Sequence, residues 1–193
     1  ETYEAYADYL KVAEMAEQMV SNAALEVLGT TKITFRDHEI DLAPPWRRIT
    51  FNDALMEYAE LDLTAFPNAE SLRAELRRRG VDAPVTAGYG KLCDEAMSHY
   101  VEPNLIQPTF LLDYPVELSP LAKRKPGNPR MVERFECFVA GFECGNAYTE
   151  LNDPAIQEEN FSRQLAGEKE GETMRVMDED FVTALRHGMP PAG

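Results

Sequence analysis

Hydrophobic and polar positions alternate with different periods along the chain, and these periods predict most of its elements. Apolar residues recur every three or four positions over residues 3–28, which predicts a long helix that stops at Gly29. Alternation over residues 31–43 predicts a β-hairpin, and residues 46–51 are expected to form a further short strand. A helix is expected to run on through Tyr58, with Thr50 or Asn52 as its N-cap.

The pattern changes over residues 64–105, where large apolar residues become sparse. Two short helices are expected there, the first capped by Asn68, and we interpret the segment as a small helical insertion on the main body. Its first helix ends in three consecutive arginines, residues 77–79. Such a run is typical of a solvated helix end that complements the helix dipole, and nucleic-acid contact is the alternative.

Residues 108–117 predict a buried strand, and residues 119–130 a loop rich in proline, glycine and cations. Two interpretations of that loop remain open, an ordinary solvated loop and a loop that faces phosphates beside a site. Helices are expected again over residues 154–165 and 177–187, separated by a polar loop at residues 167–173.

Residues 135–154 are apolar enough for a buried hairpin, yet they carry three glutamates, an asparagine and a tyrosine. Because side chains alternate along a strand, Asn146, Tyr148 and Glu150 should share one face, in a row of about 13 Å at roughly 3.3 Å per residue. An amide near one end and a carboxylate at the other would suit a ligand that carries a carboxylate and a cation. The hairpin therefore predicts one wall of a small-molecule site.

The other two glutamates of the hairpin, Glu136 and Glu143, predict a metal site. Two neighbouring carboxylates repel each other unless a cation lies between them, and oxygen ligands favour a hard divalent ion such as Mg²⁺. For both to meet Glu150 in one site, the alternation must break, and we predict an irregularity at residues 144–145. The alternative is that each glutamate faces solvent.

Composition and charge narrow the class of protein. The 193 residues are 44% hydrophobic and 27% charged, as in soluble globular domains, and no apolar run could span a membrane. The net charge of −15 disfavours nucleic acid as a general surface partner. Three cysteines without a Cys-x-x-Cys pair favour reduced thiols and a cytoplasmic location. Because residue 1 is Glu rather than Met, we expect a cut or processed start.

Four segments, at residues 1–9, 102–124, 134–154 and 178–191, resemble class II lysyl-tRNA synthetases in that family's order. The resemblance implies an α+β fold in which an antiparallel sheet is flanked by helices, present in part over residues 1–193. It also implies activation of lysine with ATP to lysyl-adenylate, followed by transfer to lysine tRNA. A paralogue that lysylates a protein such as elongation factor P, and a non-catalytic lysine-binding module, are the alternatives.

The resemblance also implies roles for individual residues. Glu1, Tyr3 and Glu150 would hold the lysine ammonium group, and Asn146 the substrate carboxylate. Tyr148 would line the lysine site, while Glu136 and Glu143 would hold Mg²⁺ on the phosphates of ATP.

The family's three signature motifs and its anticodon-binding domain find no match in these residues. The resemblance places the motif arginines just before Glu1 and just after Gly193, so we expect no catalytic residue within the chain and little activity from it alone. It further implies a homodimeric full enzyme that contacts tRNA mostly through other parts.

Overall fold

The computed structural model describes residues 1–167 and 177–193, with the side chains of helix α5 described as far as residue 162. The helices within these residues are α1 (Tyr9–Leu28), α2 (Phe51–Ala59), α3 (Ala69–Arg78), α4 (Tyr89–Tyr100), α5 (Pro154–Gly167) and α6 (Glu179–Arg186). The strands are β1 (Lys32–Phe35), β2 (His38–Asp41), β3 (Arg47–Thr50), β4 (Thr109–Pro115), β5 (Arg124–Lys125), β6 (Asn128–Val139) and β7 (Phe142–Tyr148).

Helix α1 begins at Tyr9, so the predicted start at residue 3 is wrong. The side chain of Asp8 caps the helix by accepting hydrogen bonds from the backbone N–H groups of Leu10 and Lys11. The preceding residues instead pair with the last residues of the chain, and the N–H of Glu4 donates to the carbonyl of Gly193 at 2.9 Å. The predicted stop at Gly29 is confirmed, since Gly29 has a left-handed backbone at φ 71°.

Strands β1 and β2 form the predicted antiparallel hairpin, with Arg36 and Asp37 at its tip. Strand β3 follows a cis bond at Pro44–Pro45 and leads directly into α2. Of the two predicted N-caps for α2, the structure selects Thr50, whose hydroxyl oxygen accepts a hydrogen bond from the N–H of Asp53 at 3.2 Å.

The main sheet contains five strands in the described part of the chain. Strand β4 lies between β3 and β6, while β5 and β7 pair in turn with successive parts of β6. All pairs are antiparallel except β3–β4, which is parallel. The predicted α+β class with an antiparallel sheet flanked by helices is confirmed, with this one parallel pair as a difference.

The expected loop at residues 119–130 is wrong in its second half. Strand β5 lies within it, and β6 begins at Asn128 rather than at residue 135. The turn at Gly127, with φ 79°, lets β5 and β6 pair although the sequence there is polar. Strand β6 is therefore long enough to pair with both β5 and β7, and it brings the basic segment into the sheet.

Two hydrophobic clusters cover opposite sides of the sheet. Helices α2, α3 and α4 share one cluster with residues of β3, β4 and β6, and its fully buried members include Leu72, Leu76 and Leu111. Helix α1 and the β1–β2 hairpin pack on the other side, around Trp46, Phe110 and Phe135. The helices of residues 64–105 thus form part of a shared core, and their status as an insertion stays a prediction.

The predicted helices near the end of the chain are present as α5 and α6, and Asp178 caps the latter. Most of the predicted loop at residues 167–173 lies outside the described residues. Among the helices that the structure describes, none is long and apolar enough to cross a membrane.

Candidate functional site

A cavity of about 770 Å³ lies between helix α1 and the β6–β7 hairpin. Its floor is apolar and comes from α1, the β1–β2 hairpin and β6. The hydroxyl, amide and carboxyl side chains on its wall are Glu1, Thr2, Tyr3, Asn146, Tyr148 and Glu150. A mostly apolar cavity of this size with a few convergent polar groups is typical of small-molecule sites.

One end of the cavity concentrates negative charge. The hydroxyl of Tyr3 donates to Glu1 Oε1 at 2.7 Å, and this hydrogen bond raises the pKa of Tyr3 to about 12. Burial, and then the charge of Glu1, raise the pKa of Glu150. No lysine or arginine is among the cavity-lining residues that the structure describes. This end is therefore suited to a cationic group, which would be attracted to both carboxylates.

The two ends of the chain and helix α1 bring Glu1 and Tyr3 to strand β7. The N–H of Tyr9 donates to Thr149 Oγ1 at 3.0 Å, which fixes the start of α1 beside the end of β7. The N–H of Glu150 donates to the carbonyl of Ala192 at 2.8 Å, and Ala192 in turn bridges to Ala5. These contacts hold the N-terminal segment alongside the predicted lysine-binding face.

The predicted break in strand alternation occurs at Cys144. Cys137 pairs with Gly145 while the next residue, Phe138, pairs with Glu143, so Cys144 is an extra residue in β7. Because Glu143 pairs with Phe138, the bulge places it on the same face of the sheet as Glu136 and its partner Asn146. The irregularity expected at residues 144–145 is confirmed.

The two predicted metal ligands do not line the cavity. Glu136 is half-buried on the face of the sheet that also carries Asn146, where its Oε1 accepts from Arg134 Nη2 at 2.5 Å and its Oε2 accepts from the hydroxyl of Tyr114 at 2.7 Å. Burial raises the pKa of Glu136, and the charges of Glu143 and Glu102 add to this effect. In the described part of the chain, no group of three or more His, Cys, Asp or Glu side chains is arranged to hold a metal.

The prominent cations of the sequence are mostly engaged within the chain. Arg77 donates to the carbonyl of Ala83 at 2.8 Å, and Arg78 and Arg79 both bind Glu75. This arrangement favours the interpretation of residues 77–79 as a structural helix end.

In the basic segment at residues 119–130, Lys125 pairs with the buried carboxylate of Asp113. The guanidinium of Arg130 lies over the ring of Tyr89 and donates to the carbonyl of Pro67 at 3.2 Å. Lys125 and Arg130 are thus engaged within the chain, and no cation is among the described residues that line the cavity.

The sequence reasoning missed two buried polar groupings that support the site. Asp113, at φ 62° in β4, accepts a 2.8 Å hydrogen bond from the hydroxyl of Tyr9 as well as binding Lys125. An acid inside an otherwise apolar strand was the available signal for it. Arg134 reaches Glu136 from two residues away on the same strand, a spacing that could have indicated the pair.

The antiparallel sheet flanked by helices is consistent with the core of a class II aminoacyl-tRNA synthetase. A family model described as tRNA synthetases class II (D, K and N) matches residues 1–193. The chain therefore belongs to this family.

Within that family, the chain is similar to proteins named lysine–tRNA ligase. It is 47% identical to those of Chloroflexus aurantiacus and Moorella thermoacetica and 44% identical to that of Halalkalibacterium halodurans. Each match covers the whole of this chain but only 39–40% of the relative. The chain thus spans about two fifths of the length of the curated relatives it matches.

Proposed function

We propose that these residues form the lysine-binding part of the catalytic core of a class II lysine–tRNA ligase. The complete protein would join the carboxylate of lysine to the α-phosphate of ATP with release of pyrophosphate. It would then transfer the lysyl group to the terminal adenosine of lysine tRNA. The similarity to lysine–tRNA ligases over the whole chain supports this reaction over lysylation of a protein.

The observation that carries the proposal is the pair of carboxylates at one end of the cavity. Glu1 and Glu150 come from distant parts of the chain, and each is close enough to Tyr3 to raise its pKa. Two carboxylates near each other without a cation are unfavourable, and the ammonium group of lysine would relieve their repulsion. Tyr3 holds Glu1 in place, and Tyr148 supplies a half-buried aromatic wall beside Glu150.

Asn146 lies toward the other end of the same wall, exposed on strand β7. Its amide N–H group can donate to the α-carboxylate of lysine. The separation of about 13 Å along the strand between residues 146 and 150 leaves room for the aliphatic side chain of lysine between the two polar ends. The half-buried ring of Tyr148, on the same face between them, is suited to those methylene groups.

Glu136 and Glu143 have the chemistry of magnesium ligands, since both offer carboxylate oxygens. Each oxygen of Glu136 accepts one hydrogen bond and keeps a second lone pair, so the Arg134 and Tyr114 contacts leave it able to bind a cation. We infer that these two residues would hold Mg²⁺ with ATP. The ion, when bound, supplies positive charge to the phosphate groups.

We expect the phosphates and the tRNA to depend on cations outside these 193 residues. The described lining of the cavity contains no cation, and Arg77, Arg78, Arg79 and Lys125 are engaged within the chain. The chain on its own should therefore make lysyl-adenylate poorly, because phosphoryl chemistry needs electrostatic stabilisation. The full enzyme is proposed to act as a homodimer in the cytoplasm.

Lysine-dependent exchange of pyrophosphate into ATP by the natural protein that contains these residues tests the proposal. We expect Glu150→Gln to raise the KM for lysine far more than the KM for ATP, and Glu143→Gln to do the reverse. Exchange that depends on another amino acid, or variants that affect both substrates equally, would overturn the assignment. Charging of lysine tRNA, compared with lysylation of elongation factor P, identifies the acceptor.

Lysine-dependent exchange by the isolated chain at near the full protein's rate would contradict its expected inactivity. Binding of lysine by the natural protein without any binding of magnesium and ATP would instead favour a non-catalytic module. Calorimetry with each ligand separates these outcomes.

A further inference from the structure

Two cysteine thiols meet across the β6–β7 hairpin, in the wall of the cavity. The Sγ atoms of Cys137 and Cys144 are 3.2 Å apart, and the Cys144 thiol also lies 3.3 Å from the backbone carbonyl of Cys137. Both side chains line the cavity, and both cysteines are free thiols.

The bulge in β7 produces this contact. Cys137 pairs in register with Gly145, and Cys144 is the extra residue beside that pair, so its side chain is brought diagonally against Cys137. Gly145 contributes because it has no side chain, and even a Cβ at that position would lie only 3.4 Å from Cys137 Sγ. A regular strand would have placed consecutive residues of β7 on opposite faces.

We propose that Cys137 and Cys144 form a reversible intrachain disulfide by exchange with a low-molecular-weight disulfide such as oxidised glutathione. A disulfide has an S–S length of about 2.04 Å, so the two sulfur atoms must approach by about 1.2 Å. The bulge is the part of the hairpin where the ladder is already interrupted, so a small displacement there breaks the fewest hydrogen bonds. This pair is a modification site distinct from the proposed binding roles of the neighbouring polar residues.

The two thiols are suited to successive steps. Cys144 is exposed, so it is the thiol that a soluble disulfide can reach. Cys137 is buried, so it reacts second, with the neighbouring Cys144 Sγ that lies 3.2 Å away. The third cysteine, Cys93, is fully buried in the other cluster, where burial raises its pKa to about 12.

The exchange balances as two displacements. The Cys144 thiolate attacks one sulfur of oxidised glutathione, forms a mixed disulfide and expels one glutathione thiolate, which takes up the proton that Cys144 lost. Cys137 then loses its proton and attacks Cys144 Sγ, which expels the second glutathione. The two protein thiols are oxidised by two electrons, and one glutathione disulfide is reduced to two glutathione thiols.

Peptide mapping of the folded chain tests the proposal directly. The chain is equilibrated in glutathione buffers of graded ratio, alkylated and digested with a protease that cleaves after glutamate. Cleavage at Glu136, Glu143 and Glu150 gives two seven-residue peptides, each with one of the two cysteines. We expect these peptides to be joined by a disulfide and to separate after reduction, while free thiols fall from three to one per chain.

Variants identify the order of the steps. Cys137→Ser should stop at a mixed disulfide of glutathione on Cys144, whereas Cys144→Ser should leave Cys137 unmodified. Cys93→Ala is the matched control and should still give the linked peptides. Circular dichroism of each variant shows whether it is folded.

Three results would overturn the proposal. One is linked peptides that form only after the chain has been unfolded. Another is a wild-type chain that stops at the mixed disulfide on Cys144, because the second thiol cannot reach it. The third is oxidation of the Cys93 thiol while Cys137 and Cys144 remain free thiols.

Discussion

The carboxylate of Glu1 lies close enough to Glu150 for its charge to raise the pKa of that residue, although the two are 149 positions apart in the sequence. Glu1 is positioned by Tyr3, and Glu150 by its backbone hydrogen bond to Ala192. The fold thus holds two like charges at the rim of a largely apolar cavity. Such an arrangement costs stability in the free protein and is relieved by a bound cation.

The first prediction concerns the pH dependence of stability. Because the pKa of Glu150 is raised in the folded state, its stabilising effect is complete below the unfolded-state pKa of about 4.3 and is lost as pH rises through the folded-state pKa. The glutamine side chain of Glu150→Gln does not ionise, so the variant does not lose stability as the pH rises through that pKa. The Tm of the variant, relative to that of wild type, should therefore be higher at pH 7 than at pH 4.

Glu26→Gln is a suitable control for this measurement, since Glu26 is an exposed carboxylate on helix α1. Thermal unfolding of all three proteins at both pH values gives the comparison. A Tm difference between Glu150→Gln and wild type that is the same at pH 4 and pH 7 would contradict the electrostatic account.

The second prediction concerns Asp113, which joins β4 to helix α1 and to β5. Asp113→Asn keeps an acceptor for Tyr9 but loses the charge that pairs with Lys125, and we expect it to lower the free energy of unfolding by about 1–3 kcal/mol. Asp113→Ala should lower the free energy of unfolding further than Asp113→Asn does. It orphans the Tyr9 hydroxyl and places alanine at φ 62°, a backbone conformation that disfavours it by about 1–2 kcal/mol.

Asp37→Ala separates the backbone effect from the loss of the buried contacts. Asp37 has nearly the same backbone conformation, at φ 64°, but lies on the exposed hairpin tip. The decrease in the free energy of unfolding of Asp37→Ala, measured by urea denaturation, therefore estimates the backbone effect alone. If Asp113→Ala costs no more than Asp37→Ala, the buried network contributes nothing to stability.

The third prediction concerns the helices of residues 64–105. Leu76→Ala removes a fully buried side chain from the cluster that these helices share with the sheet, and should cost about 2–5 kcal/mol. Trp46 is the single tryptophan of the chain and lies in the other cluster. We expect its fluorescence to report the full destabilisation, because a shared core unfolds as one unit.

Val85→Ala is the matched control, since Val85 is 73% exposed in the same region and should change stability little. A Leu76→Ala variant that lowers the helical circular dichroism signal early while leaving the Trp46 transition unchanged would show that the helices fold as a separate unit.

Local chemistry was sufficient to predict several features. Gly29 as a helix stop, Asn68 as a cap, Thr50 as one of two candidate caps and the hairpin at residues 31–43 all follow from rules that act within a few residues. The bulge at Cys144 was predictable because the positions of acids in the sequence conflicted with strand alternation.

Features that depend on distant contacts were not predictable in this way. The late start of α1 results from pairing of residues 4–6 with residues 191–193, which no local pattern indicates. The early start of β6 depends on β5 as a partner, since residues 128–130 (Asn-Pro-Arg) are exposed and show no apolar alternation. The contact between Tyr114 and Glu136 likewise brings together side chains from separate strands.

The most direct test of the proposed site is calorimetric titration of lysine and of norleucine, which lacks only the side-chain ammonium group. We predict that wild type and Glu26→Gln bind lysine at least tenfold more tightly than norleucine, a difference of about 1.4 kcal/mol. In Glu150→Gln the ratio should fall toward one, because the half-buried carboxylate that faces the ammonium is gone. Equal affinity for both ligands in wild type, or an unchanged preference in Glu150→Gln, would contradict the account.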